Sequence, residues 1–194
     1  GPQALPAAAA AATPAQSNTF AFHLGSDQDV THFLAQCPVG TPAPYVLCGY
    51  GINEPITSQS STLAALNTPG ITESFVSALS AAGPQKDCAI GMTNVSAVTL
   101  HTSRGDIFLA SSDHGQFCVY NAMPGAAGFA PAKSNLDVEP FVILGGTGQF
   151  RGATGSGVIT AHGLGQDPAP PATPTIGYAT EVYDGTITLA APAR

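Results

Sequence analysis

The sequence predicts an all-β protein built as an antiparallel sandwich or barrel. Segments rich in β-branched residues follow one another through the second half of the chain, and no helical pattern lies between them. An α/β fold would need crossover helices at those places. The 194 residues include 22 glycines and 17 prolines, which suit the short turns of such a fold. A single domain is expected at this length.

The N-terminal part of the chain is predicted to precede the folded domain. Gly1-Pro2 resembles the remnant of a cleaved purification tag, and an Ala/Pro-rich run extends from Ala4 to Ala15. We therefore expect residues 1–19 to be a linker and residues 20–194 to form one β-barrel domain. The alternating segment Phe20–Leu24 is the predicted first strand.

Residues 27–90 are predicted to be an irregular and partly helical insertion. The stretch from Asp27 to Pro69 holds several prolines and no clear periodicity. A short helix is predicted to follow it, because Thr72 can serve as an N-cap and Phe75 and Leu79 are spaced to share one helix face. Gly83-Pro84 would end this helix.

The remaining chain is predicted to be strands and turns. A β-hairpin is expected over 93–110, with its turn at Ser103–Asp106. Further strands are predicted at 116–121, 140–144, 157–161 and 178–189, with loops at 124–132 and 163–174.

Composition excludes several classes of partner. Five Lys and Arg face twelve Asp and Glu, a net charge of −7, so the chain lacks the cation cluster that nucleic acids or anionic lipids require. No apolar run approaches the roughly 20 residues of a membrane helix. We expect no nucleic acid and no membrane among the partners.

Neither a cofactor nor a metal is expected. The glycine-rich run from Gly145 lacks the Gly-Lys-Ser/Thr of a phosphate loop, and no helix pattern follows it. The five histidines are scattered along the chain. A metal site built from His101, His114 and a carboxylate is the alternative, but solvated turn positions explain these residues more simply.

Four cysteines predict disulfides and an oxidising compartment. Cys37, Cys48, Cys88 and Cys118 form no C-x-x-C pair, which argues against a zinc ribbon or a thioredoxin-like site. Three pairings are possible; Cys37–Cys48 and Cys88–Cys118 are favoured because they close short loops, and free buried thiols are the alternative. A secreted or periplasmic location, with a signal peptide removed, is expected.

One segment resembles a known family. The run Gly145-Gly-Thr-Gly-Gln-Phe-Arg-Gly-Ala-Thr-Gly155, within 141–160, is similar to the strand–turn–strand signature of dirigent proteins and of allene oxide cyclase-like barrels. Glu181-Val-Tyr-Asp184 is similar to their closing strand. This resemblance implies an antiparallel barrel of about eight strands that works without a cofactor, often as a trimer. A homo-oligomer, trimer or dimer, is therefore expected here.

The resemblance also implies an activity. Dirigent proteins hold phenoxy radicals, and the cyclases fold a fatty-acid epoxide. By analogy, this chain would be a cofactor-independent cyclase, isomerase or coupling protein that orients a small hydrophobic or phenolic molecule. A non-catalytic extracellular binding or structural barrel is the alternative; it predicts a lumen filled by side chains.

Five residues are the predicted site. Arg151 could clamp a carboxylate or phenolate, or instead form a structural salt bridge with Glu139 or Glu181. Strand alternation places Glu181 and Tyr183 on one face, where an acid beside a phenol can move protons, unless that face points outward. Glu139 and His101 are the predicted ligand-binding residues.

Overall fold

The protein is a closed antiparallel β-barrel with eight strand positions, as the sequence predicts. The computed structural model describes residues 1–6, 18–81, 88, 90–123, 132–166 and 176–191. Most of the predicted linker, the predicted helix end at Gly83-Pro84 and most of the two predicted loops at 124–132 and 163–174 lie outside these ranges.

Ten strands build the barrel wall. They are β1 (Thr19–Phe33), β2 (Tyr45–Pro55), β3 (Ser58–Ser61), β4 (Thr72–Ala81), β5 (Ile90–Thr102), β6 (Gly105–Ser111), β7 (Gly115–Met123), β8 (Ala132–Gly146), β9 (Thr154–Gln166) and β10 (Ile176–Thr188). Two single-turn 3-10 helices, Ala64–Leu66 and Gly148–Phe150, lie between strands.

Strands that neighbour each other around the barrel pair antiparallel, β2 pairs with β4 past β3, and β10 returns to β1 to close the barrel. β2 and β3 share one position, because each pairs with a different part of β1. β6 and β7 share another, since they pair with successive halves of β5 and β8. Ten strands therefore fill eight positions.

One end of the barrel is filled by side chains. Its apolar core draws on β1, β5, β6, β8, β9 and β10, on the segment around Ala64–Leu66, and on Phe150, which is fully buried. Tyr183 contacts Phe141 edge to face, with ring centroids 6.1 Å apart. We call this the closed end.

The predicted helix at Thr72 is wrong; these residues form β4. Glu73 and Leu79 are buried while Val76 is exposed, which is the alternation of a strand. β4 pairs with β2 on one side and β5 on the other. Those two ladders satisfy its backbone and override the local helix signals.

The predicted insertion over 27–90 is also corrected. β1 continues to Phe33, and β2, β3 and β4 all lie in this segment as barrel strands. Pro38, Pro42 and Pro44 are confined to the connection between β1 and β2, and Pro55 ends β2. The prolines mark strand boundaries and do not make the whole segment irregular.

Both favoured disulfides are confirmed. Cys37 bonds to Cys48, and Cys88 bonds to Cys118. Cys48 lies early in β2 and Cys118 in β7, so both bonds lie at the end of the barrel opposite the filled core. We call this the open end.

The glycine-rich run makes the predicted strand–turn–strand. Gly145 and Gly148 have φ of 120° and 56°, which other residues rarely adopt. A Cβ on Gly146 would lie 2.1 Å from the carbonyl oxygen of Asp106, so only glycine allows this close approach of β8 to β6.

Candidate functional site

A cavity of about 240 Å³ occupies the open half of the barrel. Its wall is mostly apolar and includes the rings of Phe33, Phe75, Phe117 and Tyr178. Four acidic residues also line it, namely Asp29, Asp137, Glu139 and Glu181. Such a mixture of apolar wall and few polar groups is typical of small-molecule sites.

Strand alternation places the acidic side chains inside. On β8, Asp137 and Glu139 are buried while the intervening Val138 is exposed. On β10, Glu181 and Tyr183 are buried and Asp184 is exposed. The predicted shared face of Glu181 and Tyr183 is therefore confirmed, and it points into the lumen.

Asp137 and Glu139 form a hydrogen-bonded group that we call the wall pair. The Asn94 side-chain amide donates to Asp137 Oδ2 at 2.8 Å and to Glu139 Oε2 at 3.3 Å. Ser96 and Ser111 donate their hydroxyls to Glu139. Asp137 Oδ1 and Asn94 Oδ1 have no hydrogen-bond partner among the described residues. Within the wall pair, Asp137 thus keeps one buried acceptor oxygen without a partner, in a residue that lines the cavity.

The wall pair holds its protons more tightly than ordinary acids. Burial, reinforced by the neighbouring Glu139 charge, raises the pKa of Asp137 to about 7. Burial also raises the pKa of Glu139, although the serine hydroxyls oppose that rise. Asp137 is therefore poised to exchange a proton near neutral pH.

Four further carboxyl groups, which we call the floor cluster, lie between the cavity and the filled core. They are Asp29, Glu54, Glu73 and Glu181, from β1, β2, β4 and β10. The Tyr183 hydroxyl donates to Glu73 Oε2 at 2.5 Å, and the Val30 N–H donates to Glu54 Oε1 at 2.7 Å.

Burial is the main cause that raises the pKa of every member of the floor cluster. For Glu54 the pKa rises to about 9, with Asp29 as the second cause. Burial, followed by the Glu181 charge, likewise raises the pKa of Tyr183. The described arginines, Arg104 and Arg151, are exposed and do not line the cavity, so they do not compensate these acids.

Three predicted site residues do not line the cavity: Tyr183 belongs to the filled core, and Arg151 and His101 lie elsewhere. Arg151 is exposed in the turn after Gly148–Phe150 at the closed end, and it takes part in neither of the ion pairs found in the described part of the chain. His101 lies on the outer face of β5, where its Nδ1 contacts Asp106 and its Nε2 contacts Ser74, both at 3.2 Å. The lumen face of β5 carries Val98 and Leu100 instead.

The alternative histidine metal site is not assembled. His101 pairs with Asp106 near the closed end, whereas the Nδ1 of His114 contacts the Tyr45 hydroxyl, at 2.9 Å, near the open end. About seven strand residues separate them along β5, roughly 23 Å. The two imidazoles cannot share one ion.

Sequence reasoning missed five buried polar residues: Asp29, Glu54, Glu73, Asn94 and Asp137. Asp137 could have been found, because it lies two positions before Glu139 and so shares its strand face. Asp29 and Glu54 could not, because each follows a register shift in its strand that reverses the alternation.

No protein-family model, no curated protein and no solved structure matches this chain. None of the helices in the described ranges has the length and apolar character needed to cross a membrane. The function has to be inferred from the chemistry of the cavity itself.

Proposed function

We propose that this protein binds a small hydrophobic or phenolic molecule in the cavity and guides its cyclisation, isomerisation or coupling without a cofactor. The observation that carries the proposal is an apolar cavity whose wall pair offers an acid with a pKa of about 7. The volume, about 240 Å³, lies just below the roughly 300–1,000 Å³ of typical small-molecule sites, so the ligand is small.

The wall pair supplies the reactive chemistry in this proposal. Asp137 Oδ1 accepts a hydrogen bond from a hydroxyl of the ligand, or takes its proton. Glu139 is held by Asn94, Ser96 and Ser111, so it fixes the position of the pair. The apolar wall restricts the remaining part of the ligand to one conformation.

Binding can be tested by filling the cavity. Ala161 lines the cavity beside Glu181, so Ala161→Phe would occupy part of its volume. We expect the wild-type protein to bind a polarity-sensitive naphthalene dye, and Ala161→Phe to weaken that binding at least tenfold. Val158→Phe, on the outer face of the same strand, is the matched control.

A screen of phenols, terpenoids and fatty-acid epoxides then separates the two classes of function. Turnover of a displacing compound supports the guiding role. Binding without turnover would instead indicate the non-catalytic binding barrel. If neither dye nor ligand binds the folded protein, the cavity has no ligand role and the proposal fails.

We also propose an oxidising compartment and self-association. Two disulfides suit a secreted or periplasmic protein.

Exposed apolar side chains on adjoining strands form an outer patch that a second copy would cover; they are Ile52, Val76, Phe108 and Leu144. Light scattering would give a dimer or trimer mass, and Leu144→Asp would reduce it to a monomer.

A further inference from the structure

We propose that Asp29, Glu54 and Glu73, with Glu181 beside them, form a binding site for one calcium ion. One carboxylate oxygen from each of the first three residues lies within 4.8 Å of the others. Calcium binds oxygen ligands at about 2.3–2.6 Å, so two ligands on opposite sides of the ion are about 4.8 Å apart. Magnesium needs a tighter octahedron and keeps several waters, which suits this buried position less well.

Each of these three residues carries a buried oxygen without a hydrogen-bond partner among the described residues. These oxygens are Asp29 Oδ1, Glu54 Oε2 and Glu73 Oε1. Glu181 adds a fourth such oxygen, Oε2; this residue is 7% exposed and interacts with both Glu73 and Asp29. An uncompensated buried acceptor is costly unless a ligand satisfies it.

The other oxygens of two ligands are already fixed. The Val30 N–H holds Glu54 Oε1, and the Tyr183 hydroxyl holds Glu73 Oε2. Metal-binding carboxylates are commonly oriented by hydrogen bonds of this kind. Each glutamate therefore points its unbonded oxygen in a defined direction before any ion arrives.

Local backbone irregularities bring two of the ligands inward. The register of β1 shifts between Ser26 and Asp29, and that of β2 shifts between Gly51 and Glu54. Asn53, inside the second shift, has a φ of 49°. Such bulges often re-aim side chains at functional positions.

Protons compete with the ion for these oxygens. Calcium binds the ionised form of a carboxyl group, so its affinity for a carboxylate site should rise with pH. Asp29 and Glu181 also line the cavity, but the calcium proposal does not depend on the proposed ligand.

The test uses the full-length disulfide-bonded protein, treated with EDTA and then dialysed. Calorimetric titration with calcium chloride at pH 8 should give one ion per chain, with at least tenfold weaker binding at pH 5.5. Terbium is a direct probe of position, because excitation of the adjacent Tyr183 should sensitise its emission. Calcium should displace terbium, and magnesium at the same concentration should not.

Isosteric variants locate the site. Glu54→Gln and Glu73→Gln should each weaken calcium binding at least tenfold while the circular dichroism spectrum stays unchanged. Asp27→Asn, an exposed acid on β1, should bind as the wild type does. If either glutamine variant fails to fold, Asp29→Asn replaces it.

Two results would overturn the proposal. One is a folded wild-type protein that binds no stoichiometric calcium at millimolar concentration and pH 8. The other is calcium binding that Glu54→Gln and Glu73→Gln leave unchanged. Either would mean that hydrogen bonds between the carboxyl groups, without an ion, satisfy the buried oxygens of the floor cluster. Dye binding in the cavity is measured separately, so a failure here does not decide the proposed ligand role.

Discussion

At the residue scale, Asp137 combines burial with a free oxygen beside the cavity. Asn94 holds its Oδ2, while Oδ1 has no partner among the residues that the structure describes. A general base is most effective when its pKa lies near the working pH, and that of Asp137 is raised to about 7. These two properties make it the residue on which turnover should depend most.

We therefore predict that Asp137→Asn lowers kcat by about 10²–10⁴-fold on any substrate that the screen identifies. The amide keeps the shape of the side chain but cannot accept the proton. The pH–rate profile of the wild type should change slope near pH 7, and the variant should lose that inflection. Asp27→Asn is the control, and an unaltered profile in Asp137→Asn would show that another group transfers the proton.

Gly146 is a second residue on which the fold should depend, because β8 approaches β6 closely there. Gly146→Ala places a methyl group 2.1 Å from the Asp106 carbonyl oxygen, which is backbone and cannot rotate away. We predict a loss of about 3 kcal/mol in the free energy of unfolding, measured by urea titration.

Gly40→Ala is the matched comparison for this glycine. Gly40 differs from Gly146 in having a positive φ, 89°, and a Cβ there would meet nothing within 4 Å. Only backbone strain opposes this alanine, so it should cost about 1 kcal/mol. A loss for Gly146→Ala no larger than that for Gly40→Ala would mean that small backbone shifts relieve the contact with Asp106.

At the scale of the element, the local sequence pattern is sufficient to predict a strand where the strand residues themselves are typical of β-structure. The hairpin of β5 and β6 was predicted because β-branched residues flank a Gly-containing turn, and the structure confirms it. β4 was not predicted, because its capping and spacing signals favour a helix, and only the ladders on both sides reveal the strand. Pairing partners distant in sequence are invisible to a local pattern.

The same limit explains the candidate site. The inward face of β10 could be predicted from alternation, since that strand is regular around Glu181 and Tyr183. The floor cluster could not be predicted in this way. Asp29 and Glu54 face inward because of register shifts, and no residue type in the sequence indicates those shifts. Arg151 was predicted from its chemistry alone, and its exposed position shows that a rare charge need not face the lumen.

The two disulfides are expected to stabilise the fold by different amounts, because they close loops of different length. Cys88–Cys118 spans 30 residues and Cys37–Cys48 spans 11. In the chain-entropy description their removal should cost about 4 and about 3 kcal/mol respectively. Thermal unfolding of the two Cys→Ser double variants tests this order. A greater loss for the shorter loop would show that native-state contacts, and not the unfolded chain, determine the effect.

At the scale of the whole molecule, the buried acids set how stability changes with pH. Their pKa values are raised by folding, so the native protein keeps protons that the unfolded chain releases above about pH 4. Stability is therefore fully present below that pH. It falls as pH rises towards about 7 for Asp137 and about 9 for Glu54.

We predict that Tm, measured in EDTA, decreases steadily between pH 4.5 and 9. Each proton concerned contributes about 1.4 kcal/mol per pH unit. Asp137→Asn should remove part of the slope below pH 7 and raise Tm at pH 8, because it no longer buries a charge there. A Tm that rises through this range would mean that the acids are stabilised in their ionised form.

The two ends of the barrel have different structural contents. The closed end holds the continuous apolar core and the glycine turn, whereas the open end holds the cavity and both disulfides. Substitutions among the cavity-lining residues therefore leave most of the core packing untouched. Substitutions that reshape the cavity should therefore lower the free energy of unfolding less than substitutions of similar size in the core of the closed end.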